Sequence, residues 1–243
     1  MKPYSNLCFR ISNRFRTFLG IGNKGGIPVI INNRNRYTML KQLISKLESL
    51  EIRNIHIIDN NSDYSPLLRY YNEIPYHVYF LDQNAGCYSL WKTHIFQRFK
   101  MGYYVYTDSD LIPVDECPRN LLIDLKKTLD DHSDLDKVGL GLKIDDLPDA
   151  NEMKQKVLNW EKQYWEKPLS PLLYDAPVDT TFALYKPGKQ GGWWLKAART
   201  GYPYMARHLP WYLNSSDLPE EEKYYIEHAN IDSSWYKNPE KNK

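Results

Sequence analysis

The sequence predicts an α/β fold: a mostly parallel central sheet with helices on both faces. Three observations carry this. From Ile27 onward, apolar strand-like runs alternate with segments of helical period. The strand-like runs end in clusters of Asp, Asn and Ser. A chain of 243 residues, 42% hydrophobic and 26% charged, is large enough to bury the core that such a sheet needs, which excludes whole-chain disorder.

Residues 27–32 (IPVIIN) read as a buried strand. Residues 37–50 carry Leu40, Leu43, Ile44, Leu47 and Leu50 at helical spacing. A second strand, 54–59 (NIHIID), stops at Asn60, Asn61 and Ser62, and Pro66 opens a short helix to Tyr71. Residues 76–81 form a third strand. Residues 85–99 read as a helix with Leu90, Trp91, Ile95 and Phe99, and 103–107 (YYVYT) as a fourth strand, stopped by Asp108-Ser109-Asp110. This order with short connections describes one nucleotide-binding half.

Beyond Pro113 the alternation loosens. A helix is expected over 119–131, a strand over 137–143, a helix over 151–165 and a strand over 177–185. Gly188, Gly191 and Gly192 then lead into Trp193 and Trp194, and 202–212 reads as a proline-containing loop. The boundaries follow: a basic arm at 1–25, one domain at 26–236 with halves 26–113 and 114–236, and a tail at 237–243.

The arm stands apart in charge. Nine Lys and Arg precede Glu48, the first acid, so the rest of the chain is acidic on balance. Leu7, Ile11, Phe15 and Phe18 fall within an arc of about 80° on a helix, with Arg10, Asn13 and Arg16 elsewhere. Residues 7–19 therefore suit an anionic membrane surface, or docking on the body of the protein. Gly20, Gly22, Gly25 and Gly26 make a joint before the first strand. No apolar run is long enough to span a bilayer, and Cys8, Cys87 and Cys117 lie too far apart for a disulfide scaffold or a Cys-based zinc finger. A cytoplasmic location is expected, with a peripheral place on the inner face of the membrane.

In parallel α/β sheets ligands sit at the carboxyl ends of strands. Asn32-Asn33-Arg34, Asp59-Asn60-Asn61-Ser62, Asp82-Gln83-Asn84 and Asp108-Ser109-Asp110 all fall on that edge. Asp108 and Asp110, two residues apart at a strand end, suit one hard divalent cation with positions left open for phosphate oxygens. A second match, Asp134-Leu135-Asp136, precedes its strand and so lies at the wrong end.

The segments NNRNR, IIDNNS, NAG and YVYTDSDLIP, each after or closing one of the four strands, resemble the GT-A glycosyltransferases, especially the family 2-like branch. The resemblance implies a nucleotide-sugar donor, a Mn²⁺ or Mg²⁺ ion, and transfer of a hexosyl or related sugar to a saccharide or glycolipid acceptor in polysaccharide biosynthesis. It implies nucleotide contacts from Asn33, Arg34, Asp59, Asn84, Gly86 and Asp108, and metal ligation by Asp108 and Asp110. By analogy with GT-A enzymes that place a C-terminal His on the metal, His208 is a third ligand, with His228 in competition. The usual Glu-Asp pair and QxxRW motif of family 2 are not visible.

Trp193 and Trp194, directly after the Gly191-Gly192 pair, are candidate acceptor-stacking residues. Lys196, Arg199 and Arg207 are candidates to neutralise a leaving diphosphate. Asp179, in an otherwise apolar segment beside the Asp-x-Asp strand, is the candidate general base of an inverting reaction, with Asp175 a rival. Two other classes stay open. A HAD-like phosphatase would use Asp108 as nucleophile, although its motif normally wants Thr or Val where Ile112 stands. A nucleic-acid binder would use the arm and the tyrosines, but no RNA-binding signature is present and the body is acidic, so no nucleic-acid partner is expected.

Overall fold

The computed structural model describes residues 25–192 and 194–229. The arm at 7–19, Trp193 and the tail at 237–243 lie outside the described residues.

Four parallel strands, β1 (Val29–Asn33), β2 (Ile55–Asp59), β3 (His77–Phe80) and β4 (Tyr104–Asp108), are ordered β3-β2-β1-β4. Next to β4 lies β9 (Ala183–Tyr185), antiparallel to β4 and to β6 (Lys137–Leu142). β10 (Ala197–His208) runs parallel to β6. At the far edge β10 pairs antiparallel with β8 (Leu173–Asp175), and β8 with β7 (Pro168–Ser170). The end of β10 also pairs antiparallel with β5 (Leu111–Pro113), which sets His208 opposite Leu111. The parallel β3-β2-β1-β4 block, followed by an antiparallel strand beside β4, is the mostly parallel central sheet that the sequence predicts.

Both faces of the sheet are covered, which is why β1 is apolar without alternation. Val29 and Ile31 join one core with Leu40, Leu43 and Leu47 of α1 (Tyr37–Ser49), Leu67 of α2 (Ser65–Tyr70), and Leu121, Leu125 and Leu129 of α5 (Leu121–Asp131). Ile30 joins the other, with Leu90 of α3 (Ser89–Lys92), Phe96 and Phe99 of α4 (Phe96–Phe99), Tyr104, Tyr106 and Tyr185. Each fully buried side chain of this size contributes about 1.5–3 kcal/mol.

Three elements differ from expectation. The helix predicted over 85–99 divides into α3 and α4. Gly86 has φ +78°, and Thr93 is extended with its hydroxyl donating to Leu90 O, the carbonyl that a continuing helix would offer to His94. The strand predicted over 177–185 shrinks to 183–185, and at its start side chains take the carbonyls a neighbouring strand would need. Arg199 Nε donates to Pro177 O, and Lys137 Nζ donates to Val178 O. The loop predicted over 202–212 is mostly strand, with the β6 register shifting between Thr200 and Met205, where Pro203 has no N–H to give. Helix α7 (Glu220–His228) follows. Among the described residues no helix is long and apolar enough to cross a membrane.

Candidate active site

The carboxyl ends of β1 and β4, the loop before β9 and the end of β10 enclose a cleft of about 690 Å³. Asp108 is the ladder partner of Asn32, and both its oxygens are held: Asn32 Nδ2 donates to Oδ1 at 3.2 Å and Thr180 Oγ1 to Oδ2 at 2.6 Å. Burial first, and the Asp110 charge second, push the Asp108 carboxyl up to about 7, against the pull of those two bonds.

Asp110 differs. Its Oδ2 accepts from Arg36 Nη1 and lies 3.3 Å from His208 Nε2. Burial alone would raise its carboxyl, but the His208 and Arg36 charges outweigh that and hold it well below the usual carboxylate range. Its Oδ1 is buried with no hydrogen-bond partner among the described residues. The β5–β10 pairing makes this possible, since it brings His208 back to the turn after β4, and Leu209 N–H donates to Asp110 O.

Arg36 is itself buried. Its Nη2 donates to Glu222 Oε1 at 2.8 Å, and its guanidinium lies 3.8 Å from the centre of the Tyr225 ring. Glu221 accepts from Thr38 N–H and its hydroxyl, capping the N-terminus of α1 as an acid should. Arg34 Nη2 donates to His228 O. α7 thus closes one end of the cleft.

The loop after β3 is shaped by Asn60, which donates to Gly86 O and accepts from Ala85 N–H, while Asn84 accepts from Gly86 N–H. Arg34, Asn84 and Gly86 line the cleft. Asn33 and Asp59 do not, which corrects their expected place. Asn33 Nδ2 donates to Tyr71 OH, and Asp59 accepts from Tyr71 OH and from Ser62 N–H. Neighbouring residues at a strand end face opposite ways, so Asn32 and Asn60 take the cleft side instead.

Asp179 lines the opposite wall and accepts from Tyr88 OH at 3.1 Å. Burial, then the Asp179 charge, raises the Tyr88 hydroxyl. Beneath this loop Lys137 is buried, held by Val178 O, Gly192 O and Tyr185 OH, and burial lowers it to about 8.

Other candidates fall elsewhere. Trp194 is exposed and does not line the cleft, whose aromatic residues are Trp160, Tyr164, Trp211 and Tyr225. His228 stacks on Tyr224, so of the two histidines only His208 meets Asp110. Asp175 lies in β8, outside the cleft lining. Lys196 pairs with Asp134 and Arg207 with Asp146, whereas Arg199 lines the cleft. Sequence reasoning missed Arg36 as a partner of Asp110, and Glu161, Trp160 and Tyr164 as cleft residues. The one signal was a basic residue among the amides after β1.

Among the described residues no cluster of three or more His, Cys, Asp or Glu is arranged to hold a metal. The donor set still fits a hard cation with two protein ligands. Asp110 Oδ1 is an unbonded buried carboxylate oxygen, and an imidazole nitrogen lies beside the same carboxylate.

No protein-family model matches the chain. No curated protein matches it either. Solved structures similar to it include S. aureus TarS, 13% identical over 74% of this chain and 36% of that chain, with a TM-score of 0.43. A mycobacterial protein is 12% identical over 75% and 66% of the two chains, also with a TM-score of 0.43. Glucosyl-3-phosphoglycerate synthase from Mycobacterium tuberculosis, crystallised with Mn²⁺, UDP and glucosyl-3-phosphoglycerate, is 12% identical over 93% and 81%, with a TM-score of 0.42. The chain thus spans about a third of TarS and about two thirds of the mycobacterial protein.

Proposed function

We propose that this chain is a GT-A glycosyltransferase that moves a sugar from a nucleotide-diphosphate donor to a saccharide or lipid-linked acceptor, with inversion at the anomeric carbon. The observation that carries it is the Asp108–Asp110 pair at the end of β4, with His208 beside Asp110 and Asp179 on the facing wall of one cleft. Arg34, Asn84 and Gly86 line the donor end and would bind the nucleotide. Asp110 and His208 would hold Mn²⁺ or Mg²⁺, with Asp108 beside them on the ribose or the ion. The ion would supply positive charge to the leaving diphosphate.

Asp179 then acts as base. It takes the proton of the acceptor hydroxyl as that oxygen bonds to the anomeric carbon. The carbon–oxygen bond to the diphosphate breaks, and its electron pair leaves with the diphosphate. Tyr88 steadies the Asp179 carboxylate through its hydroxyl hydrogen bond. The basic arm at 7–19 would rest on an anionic membrane surface, placing the cleft near lipid-linked acceptors on the cytoplasmic face.

Asp179→Asn tests the assignment. Thermal stabilisation by nucleoside diphosphate with Mn²⁺ should persist, while kcat for donor consumption drops by roughly 10²-fold or more. Near-parental kcat, or product NMR showing retained anomeric configuration, would contradict it.

A further inference from the structure

The cleft has a second polar pair, on the wall formed by α6 (Lys154–Glu161) and β10. Arg199 Nη1 and Glu161 Oε2 are 2.6 Å apart, and the two side chains are 5% and 3% exposed. Arg199 Nε donates to Pro177 O, and its guanidinium lies 4.0 Å from the centre of the Tyr164 ring. These contacts account for Nε and Nη1 of Arg199 and Oε2 of Glu161. Among the described residues, Arg199 Nη2 and Glu161 Oε1 have no hydrogen-bond partner, and neither is sealed from solvent. Trp160, the residue before Glu161, is 53% exposed and also lines the cleft.

Removing two charges from water is costly, and apolar packing in their place is often as stable. This pair keeps one donor nitrogen and one acceptor oxygen unused at a cleft wall. The chemistry of that combination is selective. An anion would meet the Glu161 carboxylate, and a cation the Arg199 guanidinium. An alkyl chain would strip water from both without replacing its hydrogen bonds. Hydroxyl groups both donate and accept, and two on adjacent carbons span a carboxylate–guanidinium pair. The exposed indole next to the pair offers a flat apolar surface to the C–H face of a sugar ring.

We propose that Glu161 and Arg199, with Trp160 and Tyr164 beside them, form the acceptor subsite and take a saccharide by a vicinal diol. The proposal rests on the sugar-transfer reading above, and takes the acceptor contact away from Trp194, which does not line the cleft.

The test uses the full chain and a set of methyl glycosides of common hexoses and 6-deoxyhexoses, followed by saturation-transfer NMR. Thermal stabilisation by nucleoside diphosphate with Mn²⁺ is measured on the same samples. At least one glycoside should bind, and its analogue lacking one hydroxyl of the diol should bind about tenfold more weakly, the loss of a hydrogen bond to a charged group. Glu161→Gln should weaken binding by a similar factor. Trp160→Ala, a change at an exposed position that the fold tolerates, should do the same. The nucleotide shift should not change in either variant. Equal glycoside binding by parent and both variants would overturn the proposal. So would the absence of any glycoside binding in a chain that nucleoside diphosphate stabilises, or preferential binding of glycerol phosphate over every glycoside. Should glycosides bind as expected while no nucleotide stabilises the chain, the saccharide subsite stands and the sugar-transfer reading falls.

Discussion

Arg36→Met probes the charge balance of the cleft most sharply. The side chains of Arg36, Asp110 and Glu222 are 7%, 8% and 2% exposed, and one guanidinium serves both carboxylates. Methionine keeps the unbranched apolar stem and much of the volume, but not the guanidinium that lies over the Tyr225 ring. What is lost is the cation between two buried acids. Breaking a buried pair by removing one partner costs about 3–5 kcal/mol. At about 2–4 °C per kcal/mol for a chain of this size, the melting temperature in EDTA should fall by roughly 6–20 °C. Arg207→Met is the control: its partner Asp146 is 34% exposed, and such a pair is worth about 1 kcal/mol or less. Added Mn²⁺ should then stabilise Arg36→Met more than the parent, because a cation beside Asp110 restores the missing charge. Scanning calorimetry with and without Mn²⁺ reads both effects. A variant that melts within about 2 °C of the parent, or a Mn²⁺ gain no larger than the parent's, would show that Arg36 does not balance these acids.

Two further outcomes follow from the same geometry. A Cβ at Gly139 would lie 2.6 and 3.0 Å from the methyl carbons of Val178, next to Asp179, so Gly139→Ala should cost about 1–3 kcal/mol in urea unfolding and lower kcat for donor consumption. Parental values for both would show that the Val178–Asp179 segment moves freely. Asp108 has its carboxyl raised to about 7 when folded, so between about pH 4 and pH 7 the folded chain binds more protons than the unfolded one and stability falls as pH rises. Asp108→Asn removes that slope. In EDTA it should melt above the parent at pH 8 and level with it below pH 4, and a parent-like pH profile would contradict the account.

The parallel half of the fold was legible because β1, β2 and β4 are short apolar runs and α1 keeps a 3.6-residue period, whereas the break at Thr93 leaves no mark on the apolar spacing of 85–99. The Asp-x-Asp pair was legible because a strand end places both acids on one edge. The same continuity hid the phase of the strands. With both faces of β1 and β2 buried, nothing in the pattern says which of Asn32 and Asn33, or of Asp59 and Asn60, turns to the cleft. The partners of the charges were hidden by distance along the chain: Arg36 meets Glu222 across 186 positions and Glu161 meets Arg199 across 38. β10 was misread because Pro203 looks like a loop residue, yet it falls in the irregularity where no ladder N–H is required. The loop before β9 was misread because its apolar residues are held by Arg199 and Lys137 rather than by a strand.

Asp110 and His208 are proposed to bind a divalent cation together with a nucleoside diphosphate. Calorimetric titration of UDP, GDP, CDP and ADP into the full chain, with Mn²⁺ and with EDTA, alongside Asp110→Ala, tests it directly. At least one nucleotide should bind the parent only with Mn²⁺ present, and none should bind Asp110→Ala. Binding of equal strength in EDTA, undiminished binding by Asp110→Ala, or no binding of any of the four would contradict the account.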